Sequence, residues 1–454
     1  MKKKLTACVL ALGMALSMAA CGSSDDAGGS SDENTEEVQT ESAVSPGEYS
    51  VDSLTVNIWD NAQLEGLQEI ADDWTAISGV AVNIEVIDWD NYWTLLEAGA
   101  SGGEMPDVFW MHSNTSQLYM ENDLLLQLND YIEADETTDL SDYYEGVVEL
   151  YTRSDGNIYA LPKDHDTIAL LYNKAIFDKY GVEYPNDDWT WEDMYEAAAA
   201  ITEASGGTVY GLAMDSSNIQ DGWYNLIYGY GAEVITEDHK DTTIDSDEAK
   251  EAMEMTRRLI SVGAPQSVLA ETGDDTMFLS GTTAMILQGS WMIKTFYEAE
   301  NADDYAWAML PYADVNENGE CDEGERVSCY NGLGWAAAAD VEDPEAAYSL
   351  IAYFCSEEGQ IKQAELGVTM GGMLGMSDYF VGAFEGMDVS AFTRIEEEGT
   401  LFFRPYTRNN TVWEDAIMQT GAFLDAWLDP EDPELMSAAC DNAAQIIREA
   451  IANE

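Results

Sequence analysis

Apolar residues near the start of the folded region alternate, then recur at helical spacing, then alternate again. Leu54, Val56 and Ile58 mark one face of a strand that runs into Trp59-Asp60-Asn61. Leu64, Leu67, Ile70, Trp74 and Ile77 follow at the spacing of a helix face. Gly79 stops that helix, and Val80, Val82, Ile84 and Val86 alternate once more. This is a βαβ unit, and it predicts an α/β fold whose sheets are mostly parallel and flanked by helices. Open sheets of this kind take ligands at the carboxyl ends of their strands, which marks the polar residues Asp60, Asn61 and Gln63. Val108–Met111 is the next short apolar strand, with Trp110 near its carboxyl end beside His112 and Ser113. Further on, Thr190 with Asp193 makes a capping-box start for a helix bearing Met194, Ala197, Ala198 and Ile201. A helix near 246–262 bears Met253, Thr256, Leu259 and Ile260. Asp343-Pro344 opens another, with Ala347, Leu350, Ile351 and Phe354 on its apolar face.

Residues 161–174, LPKDHDTIALLYNK, break this rhythm. Pro162 and the run Lys163, Asp164, His165, Asp166 lead straight into the apolar strand 168–172. A charged stretch followed at once by a buried strand suggests a chain that leaves one compact body, crosses a gap and starts a second. Residues 164–166 would then lie where a small ligand sits. The length of 454 residues agrees, being too great for one core.

Composition changes the picture at the N-terminus. Residues 2–4 are lysines and 5–20 are apolar, with small residues ahead of Cys21, the pattern of a signal sequence. A cysteine at the cut resembles a bacterial lipobox, in which the sulfur is diacylated, so residues 1–21 are expected to leave a lipid-anchored Cys21. The stretch 5–20 is short for a membrane span, and no other apolar run approaches ~18 residues. Residues 22–50 are rich in Ser, Asp, Glu and Gly and predict a disordered acidic tether. The net charge of −70 argues against nucleic acid and against docking on anionic lipid. Of six cysteines, Cys321, Cys329, Cys355 and Cys440 remain once Cys8 is removed and Cys21 acylated. Three pairings are open, and Cys321–Cys329, which closes the shortest loop, is the one favoured.

Four segments occur in a telling order: SGGEMPDVF, LPKDHDTIALLYNK with TWEDM behind it, FLSGTTAMILQGSW, and YNGLGWAAAADVEDPEAAYSLIAYF. Together with the lipobox they resemble the family 1 extracellular solute-binding proteins of ABC importers, the group of maltose-binding protein. That resemblance implies a two-lobed periplasmic-binding-protein-like (type II) fold with a hinge of about three crossings. The first lobe would hold 51–164 and 311–365, the second 165–310 and 366–454. It also implies a carbohydrate partner, a membrane permease, no catalysis, a monomer, and a place on the outer face of the cell membrane.

The same match places cleft residues. Trp110, Trp291 and Trp413 would offer stacking faces to a sugar, and Asp166, six residues before Tyr172, would bind its hydroxyls. Asp60, Asn61, Asp164 and Asn331 are expected companions, with Trp223 from an aromatic stretch. A cationic solute or an amino sugar would also suit so acidic a cleft.

One motif lies outside this set. Residues 314–325 read DVNENGECDEGE and match D-x-[DN]-x-[DN]-G-x5-E, the twelve-residue calcium loop. Asp314, Asn316, Asn318, Glu320 (by its carbonyl), Asp322 and Glu325 are the expected ligands, and Gly319 permits the turn. Cys321 stands where a branched apolar residue is usual. No amphipathic helices flank the loop, so the ion would be a structural clip. A surface glycosidase and a dockerin-like scaffold are the competing classes. Against the first, no HExxH or GxxxxGK[ST] occurs; against the second, the loop occurs only once.

Overall fold

The computed structural model describes residues 49–217, 219–429 and 432–454. The expected signal sequence, Cys21 and residues 22–48 of the expected tether lie outside the described residues. The last two residues of that tether are tied down instead. The Tyr49 hydroxyl donates to Ser349 Oγ (2.8 Å) and Ser50 Oγ to Asp343 Oδ2 (2.8 Å).

Chain order runs β1 (Ser53–Ile58), α1 (Leu64–Ser78), β2 (Ala81–Val86), α2 (Trp89–Gly102), β3 (Val108–Met111) and α3 (Ser113–Glu121). It continues with β4 (Ala160–Pro162), β5 (Ile168–Asn173), β6 (Met285–Gly289), β7 (Tyr305–Met309), β8 (Val327–Tyr330), β9 (Gly334–Ala337) and β10 (Thr400–Phe403). Helices fill the intervals. The βαβ unit forms as its periodicity predicts: β1 and β2 are parallel, and Gly79 ends α1 in the left-handed region at φ 78°. The Thr190–Asp193 capping box is also present.

Two α/β lobes result. The first is built on the sheet β2-β1-β3-β9-β4, the second on β6-β5-β7, with β8 and β10 paired beside it. The second sheet departs from the expected parallel direction, since β5 runs antiparallel to both neighbours. The reason is its origin. β5 is fed straight from the crossing, so its first residue, Ile168, pairs with the last residue of β6, Gly289. The carboxyl ends of β1, β3, β4, β6 and β7 therefore all face the gap between the lobes.

Each lobe has its own apolar core. One gathers Leu54, Val56, Trp74, Trp110, Trp335 and Phe354; the other Leu170, Trp191, Trp223, Met253, Phe278 and Trp413. Leu310, Ala313, Val327 and Cys329 pack in the second core, and the first resumes at Tyr330. This places 311–329 with the second lobe rather than the first, because β8 begins inside the second core. It also separates the favoured disulfide partners: Cys329 is buried in β8, Cys321 is exposed in the acidic loop, and all four cysteines are free.

Three segments pass between the lobes, at 163–167, 330–333 and 368–371, and they touch one another. Asp166 N–H donates to Asn331 O (2.8 Å), Lys163 N–H to Leu333 O (2.8 Å) and His165 N–H to Met370 O (3.3 Å). Gly332 is where this crossing is tightest, since a Cβ there would lie 2.2 Å from Asp164 O. Gly332→Ala is expected to cost about 1–3 kcal/mol by forcing the crossings apart, measured as a shift of the urea midpoint. An unshifted midpoint would show that the crossings yield without strain.

Candidate functional site

The strand ends converge on a cavity of about 330 Å3 between the lobes. Trp59, Asp60 and Gln63 reach it from the end of β1, Trp89 from α2, and His112 from the end of β3. Asp164, His165, Asp166, Leu333 and Thr369 come from the crossings. Gln220, Ser290, Trp291 and Met292 come from the second lobe.

The aromatic wall has an order. Trp59 stands edge-on to Trp110 (centroids 4.8 Å, 80°) and to Trp89 (5.1 Å, 86°), so its ring is clamped on two sides. Trp110 is fully buried beneath it. Trp89 is 41% exposed, and its ring meets His112 at 5.6 Å. On the facing lobe, Gly289 explains the GSW motif. A Cβ there would fall 1.9 Å from the Trp291 ring, so the absence of a side chain lets the indole lie over the strand end.

Under this wall lies a fixed polar network. Lys163 has no exposure, and its ammonium donates to Asp164 Oδ2 (2.6 Å), Gln63 Oε1 (2.9 Å) and Thr369 Oγ1 (3.3 Å) while sitting 4.6 Å above the Trp110 ring. Gln63 Nε2 donates onward to Asp60 Oδ2 (2.9 Å), whose Oδ1 accepts Ala62 N–H (2.8 Å). Leu333 N–H donates to Asp164 Oδ1 (2.7 Å). Asp166 differs, because its Oδ1 is buried without a partner. Burial, then the charge of Asp164, push its carboxyl well above the usual range, with Lys163 acting the other way.

Asp60, Asp164, Asp166 and Trp291 thus meet at one cavity as expected, and five other candidates do not line it. Trp110 backs Trp59. A strand buried on both faces carries no alternation to say which of its side chains faces the gap. Trp223 packs in the second core against Tyr224, Phe423 and Trp427, while Gln220 on the same turn reaches the cavity. Trp413 is core too, its Nε1 donating to Thr407 Oγ1 (3.1 Å). Asn61 is exposed on the short 3-10 turn before α1. Asn331 is fully buried behind the wall, where its Nδ2 donates to Gln220 Oε1 (3.0 Å) and its Oδ1 accepts from Ser113 Oγ (2.8 Å). It holds Gln220 in place.

Trp59, Trp89, His112, Gln220, Ser290, Met292, Leu333 and Thr369 were not among the candidates, while Gln63 and His165 fell within the strand end and the crossing marked for a ligand. Gln63 and His112 carried a signal, as polar residues just past strand ends; Trp89 and Gln220 carried none.

The acidic loop lies elsewhere. Asp314 accepts the N–H groups of Asn318 (2.9 Å) and Gly319 (3.0 Å). Asp322 Oδ2 accepts from the side-chain amides of Asn316 (2.7 Å) and Asn318 (2.9 Å), and Glu325 accepts Asp322 N–H (2.9 Å). Gly319 takes φ 74°, the turn its position requires. Among the described residues no three His, Cys, Asp or Glu side chains are placed to hold a metal ion.

Two α/β lobes joined by three crossings, with one aromatic cavity at the hinge, define the class of proteins that close on a solute. The sequence matches the family described as bacterial extracellular solute-binding protein over residues 60–361, and the chain belongs to that family. Its fold is that of the maltose-binding-protein-like ABC substrate-binding proteins. It is similar to Lmo0181 of Listeria monocytogenes, an ABC substrate-binding protein solved with cycloalternan. That match has a TM-score of 0.75 and 22% identity, over 88% of this chain and 99% of the other. The GacH receptor of Streptomyces glaucescens, solved unliganded and with acarbose, matches with a TM-score of 0.72 and 21% identity, over 88% and 99%. Among curated relatives, the diacetylchitobiose binding protein DasA of Streptomyces coelicolor is 26% identical over 243 residues, 52% of this chain and 51% of that protein. The chain spans little more than half the length of the curated relatives it matches. No helix among the described residues is long and apolar enough to cross a membrane.

His112 allows a check on this wall. Burial first, then the charge of Arg404, lower its pKa to about 3 from an ordinary 6.5, against the pull of Asn114. As the pH falls the unfolded chain takes up this proton first. The contribution to stability is therefore full above about 6.5 and is lost between there and 3. His112→Gln is expected to lose less stability than the parent between pH 6.5 and 4.5 in urea melts. Parallel curves would remove the assignment.

Proposed function

We propose that this chain captures a mono- or oligosaccharide in the inter-lobe cavity and presents it to the permease of an ABC importer. The observation that carries this reading is the cavity itself. Trp59 and Trp89 stand on one lobe and Trp291 on the other, with Asp166, Ser290, Gln220 and Thr369 between them. Sugars present apolar C–H faces and hydroxyl edges, and such a wall meets both. The sugars named with the two structural neighbours, cycloalternan and acarbose, support the same class.

The chain binds its solute without altering it. A glycosidase needs two carboxyl groups free to act on the bond. Here Asp164 is held by Lys163 and Asp60 by Gln63 and Ala62. Diacylation of Cys21 would hold the protein at the outer face of the membrane on its acidic tether.

Titration with neutral sugars is expected to quench tryptophan fluorescence and raise Tm as mass action requires. Trp291→Ala should weaken binding about two- to tenfold by removing a stacking face. Equal affinity in that variant would move the ligand elsewhere.

The loop at 314–325 is proposed to hold one calcium ion as a structural clip between β7 and β8. Its donors, Asp314, Asn316, Asn318, the Glu320 carbonyl, Asp322 and Glu325, are all oxygen, which suits a hard cation. A calcium chelator is expected to lower Tm in the parent and not in Glu325→Gln. An unmoved parent would end the calcium proposal.

A further inference from the structure

Between Asp164 and Asp166 the His165 side chain is buried without exposure. Its ring packs on Tyr144 (centroids 4.2 Å) and Tyr330 (5.6 Å), and its Nε2 meets Glu396 Oε1 at 2.9 Å. These three residues do not line the cavity. Tyr144 packs on the first core. Glu396 belongs to the helix Ala391–Glu398, whose Phe392 and Ile395 lie in the second. His165 Nδ1 lies 2.6 Å from Gly371 O on the third crossing, and its backbone N–H donates to Met370 O at 3.3 Å. One imidazole thus joins both lobes and two crossings.

Both ring nitrogens face acceptors. The Gly371 carbonyl can only accept, so Nδ1 carries a hydrogen. A neutral imidazole has one N–H, which would leave the Nε2 lone pair against a carboxylate oxygen at hydrogen-bond distance. The contact is attractive only when the pair holds one more proton. No other neighbour takes over the balance of charge. Arg394, on the same helix as Glu396, is held by Asp187 (2.7 Å) and Glu398 (2.8 Å). Lys163 and Asp164 pair with each other, and burial favours the neutral form of Asp166. Residues 368–371 of the third crossing carry no ionisable side chain. Burial keeps the Tyr330 hydroxyl protonated, and burial first, then the charge of Glu396, push that of Tyr144 up to about 12. Glu396 is therefore the partner of the second ring proton.

We infer that His165 and Glu396 form a proton-dependent latch that ties the helix Ala391–Glu398 of the second lobe to the crossings, and that the latch opens as the pH rises and the proton leaves. The second lobe is then freer to turn about the hinge. This goes beyond solute capture and does not depend on which solute is bound. The contribution to stability is present at low pH and lost as the pH rises, the reverse of that of His112.

Two measurements on the solute-free protein test it. Imidazole NMR spectra of isotopically labelled protein, with the His165 signals assigned by their loss in His165→Gln, are expected to show both ring nitrogens protonated near pH 5.5 and one near pH 8.5. Amide hydrogen exchange at 163–167 and 368–371, compared at equal pH, is expected to be about tenfold faster in Glu396→Ala than in the parent near pH 5.5 and about equal near pH 8.5. Glu396→Gln should stay slow at both, because its amide can donate to an unprotonated Nε2. The parent then exchanges faster than Glu396→Gln near pH 8.5 alone, a comparison that serves if Glu396→Ala melts early. A single protonated ring nitrogen near pH 5.5, or exchange ratios that do not change with pH, overturns the latch and leaves the sugar-binding reading standing.

Discussion

A lysine ammonium with no access to water sits where the three crossings meet, and the rest of the architecture answers to it. Taking Lys163 out of solvent is costly unless its charge is neutralised and its three donors are used. Asp164 supplies the charge, Gln63 and Thr369 the remaining acceptors, and Trp110 a π face. Those partners come from four parts of the chain: the end of β1, β3, the first crossing and the third crossing. Leu333, on the second crossing, joins through Asp164. One buried charge thereby holds the floor of the cavity and the hinge in a single network.

The cavity inherits its chemistry from that arrangement. Because Asp60 and Asp164 serve the network, they shape the wall more than they grip a ligand. The rest of the cavity wall is largely the aromatic surface of Trp59, Trp89 and Trp291. The aromatic surface is itself layered, with Trp110 and Tyr92 bracing Trp59 from below. A ring clamped in this way loses little freedom when a ligand stacks on it, which favours binding. On the opposite lobe Gly289 has a similar part, since its missing side chain decides where Trp291 lies.

Much of the fold was legible along the chain. The alternation at Leu54, Val56 and Ile58, the helix face from Leu64 to Ile77 and the glycine stop at Gly79 are local signals, and local geometry obeys them. The crossing at 163–167 was legible too, because a run of charges set directly against an apolar strand marks the place where one core ends and the next begins. The site was legible only in part. Asp60, Asp164, Asp166 and Trp291 follow sharp motifs or strand ends. Trp110, Trp223 and Trp413 were misplaced because a tryptophan's composition does not tell whether it faces a core or a gap. The return to the first lobe at Tyr330 was missed for a similar reason, as β8 is buried along its whole length and could belong to either core.

The amino-acid order alone determined that this chain makes two α/β lobes, where it first passes between them, and which strand ends carry polar residues. Those properties depend on periodicity and on residues close in sequence. Tertiary structure decided which indole rings line the cavity, which acids are already spoken for, and which cysteines never meet. Each of these depends on atoms far apart in the chain, such as Lys163 and Gln63 or Asn331 and Gln220. No local pattern encodes such a distance, so only packing of the two cores against the shared hinge could settle them.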